Sequence, residues 1–176
     1  IPTPPTHPDD ITFSPDGKRV LQSTWGTYIS KPLTSHLLDV TSGTEIASLG
    51  GHRSDTRSGA FSHDSRLVAT VSIDGTARLW DVTNGRALFV LAAHTDSVLH
   101  AAFSPDGRRI VTASADKSAR IWDAGTGQQL RALTGHQDGV NSAAFSADGR
   151  HIVTASDDKT ARVWNAETGQ QLRALT

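Results

Sequence analysis

The chain has 176 residues and a formal net charge of −1, which suits a single compact domain and argues against a nucleic-acid footprint, since that needs a basic face. It has no Cys, so disulfide and thiol chemistry are excluded and the redox compartment is left open. The longest apolar run, Ala87–Ala93, is too short to span a bilayer. Residues 1–9 hold four of the seven prolines. Pro fixes φ and has no N–H to donate, so this segment is expected to be an extended linker. No basic stretch followed by an apolar one opens the chain, so no secretory leader and a cytoplasmic location are expected. Arg outnumbers Lys 13 to 4, a bias expected of a high-GC bacterial gene.

From residue 10 onward the chain repeats itself. Trp80, Trp122 and Trp164 stand 42 residues apart, as do His52, His94 and His136, and Phe61, Phe103 and Phe145. Residues 103–134 and 145–176 agree at 25 of 32 positions. A fixed period of this size marks a repeat architecture, with units at about 10–50, 51–92, 93–134 and 135–176. The first unit opens with Phe13–Gly17 (FSPDG) and then departs. Phe13 to Leu38 spans 25 residues where Phe61 to Trp80 spans 19, so six extra residues fall within Ser23–Thr34. They bring Trp25 and Tyr28. Leu38 stands in the Trp place and Pro4 in the His place. The second unit keeps His52 and Trp80-Asp81. Its first hairpin, Ser62-His63-Asp64-Ser65, has lost Pro and Gly, so a looser turn is expected there.

The third unit is the clearest. Val98–Ser104 is an apolar strand ended by Ser104-Pro105-Asp106-Gly107. Pro pre-sets φ and Gly takes the positive-φ position, so this is a hairpin turn. Arg109–Ser114 is β-branched, Ala115-Asp116-Lys117 turns, Ala119–Ala124 is the third strand, and Gln129–Thr134 follows Thr126-Gly127. Short strands at this spacing predict an all-β fold. A lone four-stranded sheet is marginal, and the many small Ala suit close stacking of one sheet on the next. The fourth unit repeats the third and reaches Thr176 at nearly the phase where the first began.

The set Gly135-His136, Phe103–Gly107, Asp116 six residues before Trp122, and Trp122-Asp123 resembles the WD repeat of β-propellers. The resemblance implies a propeller of four-stranded antiparallel blades, four in this chain, as half of a ring or a segment of a larger one. It also implies buried hydrogen-bond sets: His52, Thr70, Asp74 and Trp80; His94, Thr112, Asp116 and Trp122; His136, Thr154, Asp158 and Trp164. The hydroxyl in each set is taken as the Thr, with Ser72, Ser114 or Ser156 as the alternative. Buried polar groups must be paired, which favours a structural over a catalytic role. The repeated His lie one blade apart and cannot share an ion, so no metal, cofactor or catalytic residue is expected. Arg78, Arg120 and Arg162 read as paired or solvated structural residues rather than a positive ring. Asp96 and Asp138 read as tethers of the loop that leads into the first strand.

The resemblance implies a non-enzymatic scaffold that binds a protein or peptide at the channel mouth, with neither nucleic acid nor membrane as partner. The candidate contacts are Asp55, Arg57, Ser97, Leu99, Gly139 and Asn141 after each His, and Ile73, Ala115 and Asp157 before each turn Asp. Trp25 and Tyr28 read equally as binding residues or as filler for the missing Trp. Two alternatives stand beside this reading: a regulatory or targeting section of a larger signalling protein such as a kinase or NTPase, and an enzyme using the channel. Four blades leave two open faces. The chain is therefore expected to pair with a second copy as an eight-bladed dimer, or to be part of a longer array.

Overall fold

The computed structural model describes residues 8–24 and 34–176. It contains four antiparallel sheets of four strands, each a meander in chain order. The first sheet is β1 (Pro8–Phe13), β2 (Arg19–Thr24), β3 (Ser35–Asp39) and β4 (Glu45–Leu49). The second is β5 (Thr56–Phe61), β6 (Leu67–Ser72), β7 (Thr76–Asp81) and β8 (Ala87–Ala92). The third is β9 (Val98–Phe103), β10 (Arg109–Ser114), β11 (Ser118–Asp123) and β12 (Gln129–Thr134). The fourth is β13 (Val140–Phe145), β14 (His151–Ser156), β15 (Ala161–Asn165) and β16 (Gln171–Leu175). No helix occurs among the described residues.

The first strands of successive sheets pack side by side, β1 on β5, β5 on β9 and β9 on β13. The fourth strands therefore lie at the periphery. Successive side chains of a strand point to opposite faces, and each sheet has a leading face toward the next sheet and a trailing face toward the one before. The leading face of the second sheet (Ala69, Val71, Ala77, Leu79, Leu91) packs on the trailing face of the third (Ala101, Phe103, Ile110, Trp122, Ala124). Val111, Ala113, Ala119, Ile121 and Leu133 meet Ala143, Ile152, Trp164 and Ala166 in the same way. Inner β6 and β10 are dry on both faces, which is why VATVS and IVTAS carry apolar residues on both sides of the alternation. Each fully buried Val or Leu contributes about 1.5–3 kcal/mol of transfer free energy.

The first interface solves the same problem with different sizes. Leu21 occupies the place of Ala69 and Val111, and Gly59 the place of Ala101 and Ala143. A Cβ on Gly59 would run into Leu21 and stand 2.9 Å from the Ala69 carbonyl oxygen. Large on one side is matched by small on the other, as close packing requires.

The β5–β6 turn corrects the expectation of looseness. Ser65 N–H donates to the Ser62 carbonyl at 2.9 Å, as Gly107 N–H does to Ser104. Ser62 Oγ–H donates to Asp64 Oδ1 at 2.6 Å, as Ser104 does to Asp106. The Ser-x-Asp pair therefore closes the turn without Pro. Ser65 takes the glycine's conformation at φ 59°, which costs about 1–2 kcal/mol. Its hydroxyl also accepts the Asp16 amide of the neighbouring sheet at 3.1 Å.

Candidate functional site

Strand register builds the same polar chain three times. In the second sheet Trp80 pairs with Val68, which leaves Thr70 two residues along on the same face. Trp80 Nε1–H donates to Thr70 Oγ1 at 2.9 Å. Thr70 Oγ1 lies 2.9 Å from His52 Nε2, and His52 Nδ1 lies 3.1 Å from Asp74 Oδ2. The third sheet repeats this with Trp122 to Thr112 at 2.9 Å, Thr112 to His94 at 2.8 Å and His94 to Asp116 at 2.8 Å. The fourth does so with Trp164 to Thr154 at 2.9 Å, Thr154 to His136 at 2.8 Å and His136 to Asp158 at 2.8 Å.

Proton accounting fixes the direction of each chain. An indole N–H only donates, so the Thr oxygen accepts from it and gives its own proton to His Nε2. Nε2 then has no proton and Nδ1–H donates to the carboxylate. A protonated imidazole would leave the Thr hydroxyl without an acceptor. Burial, opposed by the charge and bond of Asp74, holds His52 below its ordinary value of 6.5. Burial opposed by the Asp116 bond does the same to His94. Burial alone would raise Asp74, but the Thr76 hydroxyl, the Arg53 and Thr76 amides and His52 bring it down to about 2. Asp116 and Asp158 are lowered for the same kinds of reason.

The alternative hydroxyls serve elsewhere. Ser72 Oγ–H donates to the Ser54 carbonyl at 3.1 Å and accepts the Asp74 amide at 3.1 Å. Ser114 and Ser156 donate to the carbonyls of Asp96 and Asp138. Asp96 and Asp138 accept the next amide, of Ser97 and Gly139. Arg120 donates to Gln129 at 2.7 Å and stands 3.9 Å from Asp116. Arg162 donates to Gln171 at 2.8 Å and stands 3.8 Å from Asp158. These arginines lean on their own sheets, and the Arg78 guanidinium fills the space over Gly51. In the first sheet Leu38 and Gln22 replace Trp and Thr, so the polar chain is missing there.

The candidate mouth residues gather at the end of each sheet that carries the His loop. The Ile73 amide donates to the Asp55 carbonyl at 3.1 Å, Ala115 to Ser97 at 3.0 Å and Asp157 to Gly139 at 2.9 Å. The third and fourth sheets touch there, since a Cβ on Gly139 would lie 3.5 Å from Ala115 Cα and 3.6 Å from Asp157 Oδ2. Asn141 Nδ2–H donates to Asp157 Oδ1 at 2.5 Å. Arg57, Leu99 and Asn141 each sit at a register shift between first and second strand. A bulge frees its residue from the ladder's alternation and re-aims the side chain. Sequence patterning missed these bulges, because an unpaired residue looks like any other in an apolar run. Trp25 and Tyr28 lie outside the described residues.

His100 was also missed. It stands in β9 where the other units have Asp10, Ser58 and Ser142, and its Nδ1 is buried with no partner among the described residues. Burial holds it below 6.5 against the Ala143 carbonyl and the charge of Asp10. A persistently polar place in the first strands was the available signal. No cluster of three or more potential metal ligands occurs among the described residues. A cleft of about 390 Å³ lies at the opposite end of the third and fourth sheets, lined by Arg109, Gly149, His151 and Glu167 among others. Its Arg109 is committed to packing: it donates to the Gly149 carbonyl at 2.8 Å and covers the Phe145 ring at 5.3 Å.

The family model "WD domain, G-beta repeat" matches residues 43–81, 85–123 and 127–165. The chain belongs to the WD-repeat family. Each WD match takes in the fourth strand of one sheet and the first three of the next, so the repeat unit in sequence is staggered by one strand from the sheet in space. The four sheets are propeller blades, and WD repeats of this kind support a protein-interaction scaffold. Strands β1–β3, which lack the Trp and His, lie outside the matches. No curated protein matches the chain.

Proposed function

We propose that this WD-repeat chain is a non-enzymatic scaffold that binds a protein or peptide at the channel-mouth face. The observation that carries this is variation on a fixed frame. Three blades hold the same polar chain to within a few tenths of an ångström, yet the equivalent mouth positions are Ile73, Ala115 and Asp157. Recognition residues collect in loops held by a rigid scaffold, and the bulged Arg57, Leu99 and Asn141 add a cationic, an apolar and a polar contact to that rim. Both ring nitrogens of each tetrad His are engaged, which supports a structural rather than a catalytic use of these residues.

The test is to pan a displayed peptide library on the chain and measure binding of the selected peptides by calorimetry. Arg57→Ala with Asn141→Ala, and Ile73→Glu alone, are expected to abolish binding without lowering the melting temperature. Lys18→Ala and Arg150→Ala, at the opposite ends of the blades, are expected to leave it intact. The reverse pattern overturns the placement. The same reading has a second copy complete the ring as an eight-bladed homodimer. The uncovered faces of the first and fourth blades also suit a second reading, in which this is a section of a longer regulatory or signalling protein whose further repeats cover them.

A further inference from the structure

The mouth is one continuous rim rather than three separate sets of loops. A Cβ on Gly75, in the β6–β7 turn, would lie 3.5 Å from the carbonyl oxygens of His94 and Asp96 in the next blade. One joint further on, the β10–β11 turn reaches the fourth blade: Ala115 stands over Gly139, and Lys117 Nζ donates to the Gln137 carbonyl at 2.9 Å. The rim therefore runs from Arg57 and Ile73, through Leu99 and Ala115, to Asn141 and Asp157. These places stay open even where a blade has neighbours: Arg57 and Ile73 are exposed on a blade packed on both sides.

Charge changes sign along this rim. Arg53 and Arg57 outweigh Asp55 on the second blade, Asp96 balances Lys117 on the third, and Asp138 and Asp157 outweigh Lys159 on the fourth. The tetrad aspartates add equally to all three. The middle is apolar, with Leu99 half-buried and Ile73 exposed. The acidic end is ready to take a cation. Asn141 Nδ2–H holds Asp157 by Oδ1. The other oxygen, Oδ2, lies over Gly139, which has no side chain to cover it, and accepts no hydrogen bond among the described residues.

We infer that the mouth takes an extended protein segment in a fixed charge order: an acidic side chain against Arg57, an apolar one over Leu99 and Ala115, and a Lys or Arg against Asp157. Sheets stack about 10 Å apart and a strand rises about 3.3 Å per residue. Two blade steps therefore place the acidic and basic side chains about six residues apart. A segment laid the other way round puts like charges together at both ends. Opposite charges across an interface fix register and suppress wrong partners more than they add affinity. This inference rests on the mouth reading above and adds the partner's chemistry to it.

Peptides recovered from the displayed library by the wild-type chain are the probe. They are expected to carry an acidic and a basic residue about six apart around an apolar one. Arg57→Glu is expected to weaken such a peptide about tenfold, and changing the peptide's acidic residue to Lys is expected to restore binding. Asp157→Lys is expected to be rescued only by changing the peptide's basic residue to Glu. Asp157→Asn, which keeps the shape, is expected to weaken binding in the same direction. Both places are exposed, so circular dichroism and melting temperatures of the variants are expected to match the wild type. Rescue by the opposite peptide change overturns the inference, as do recovered peptides of a single charge sign or of none. Binding that falls with Ile73→Glu but ignores both charge reversals also overturns it, while the mouth reading stands. Binding that ignores Ile73→Glu and is lost with Lys18→Ala or Arg150→Ala, or a library that yields no binder, refutes the mouth reading itself.

Discussion

Replacing Thr112 by Val exchanges a hydroxyl for a methyl of nearly the same shape, so no cavity forms. What is lost is the centre of a polar chain. Trp122 Nε1–H loses its acceptor at 2.9 Å and His94 Nε2 loses its partner at 2.8 Å. Each buried group left unpaired costs about 1–3 kcal/mol, so a destabilisation of about 2–6 kcal/mol is expected. A loss of about 4 kcal/mol moves the urea midpoint by about 2 M at a typical slope of about 2 kcal/mol/M. The same substitution at Thr56 has the opposite sign. Thr56 Oγ1 is buried with no partner among the described residues, and its counterparts Val98 and Val140 are fully buried valines. Thr56→Val therefore removes an unpaired hydroxyl and is expected to stabilise by about 1 kcal/mol. Urea unfolding followed by tryptophan fluorescence measures both, with Thr112→Ser, which keeps the hydroxyl, as the rescue. Equal shifts at the two positions, or no rescue by Ser, refute the hydrogen-bond argument.

Stability should fall with acid in two stages. His52 and His94 titrate below their ordinary 6.5, so the folded state binds fewer protons and their contribution, whole above 6.5, is lost as pH drops through the folded values. Asp74 goes from 3.8 to about 2, so its contribution is whole above 3.8 and lost as pH falls toward 2. A melting temperature that stays flat from pH 8 to pH 5, a window about the unperturbed His value, contradicts this. His94→Ala is expected to lower the melting temperature clearly. His36→Ala, which removes a 3.1 Å pair with an exposed Glu45 and a 3.3 Å contact with the Thr34 hydroxyl, should cost about 0–1 kcal/mol, and equal losses at the two sites would count against the tetrads. Ser35→Ala removes a fully buried hydroxyl with no partner among the described residues and installs the residue found at Ala77, Ala119 and Ala161. A gain of about 1 kcal/mol in calorimetry is expected, and a loss would show that the hydroxyl is paired.

Much of this protein was legible in local chemistry. The period placed every strand of the third unit to within one residue, because each boundary carries a Pro, Gly or Asp turn. The polar chain was implied by the resemblance to the WD repeat. What sequence could not decide is what lies across space. Sequence favoured Thr over Ser without deciding it; the register sets Thr70 diagonal to Trp80 and leaves Ser72 to cap a loop. The SHDS turn looked loose on composition, yet the Ser62–Asp64 pair and a contact from the preceding blade hold it. The bulges at Arg57, Leu99 and Asn141 exist only in the pairing of two strands. Burial was hidden for a deeper reason: Val111 and Val153 sit in almost identical sequence, yet Val111 is fully buried against the fourth blade and Val153 is 43% exposed. Local composition sets what a residue can do; its partners, which arrive from other strands and other blades, set what it does.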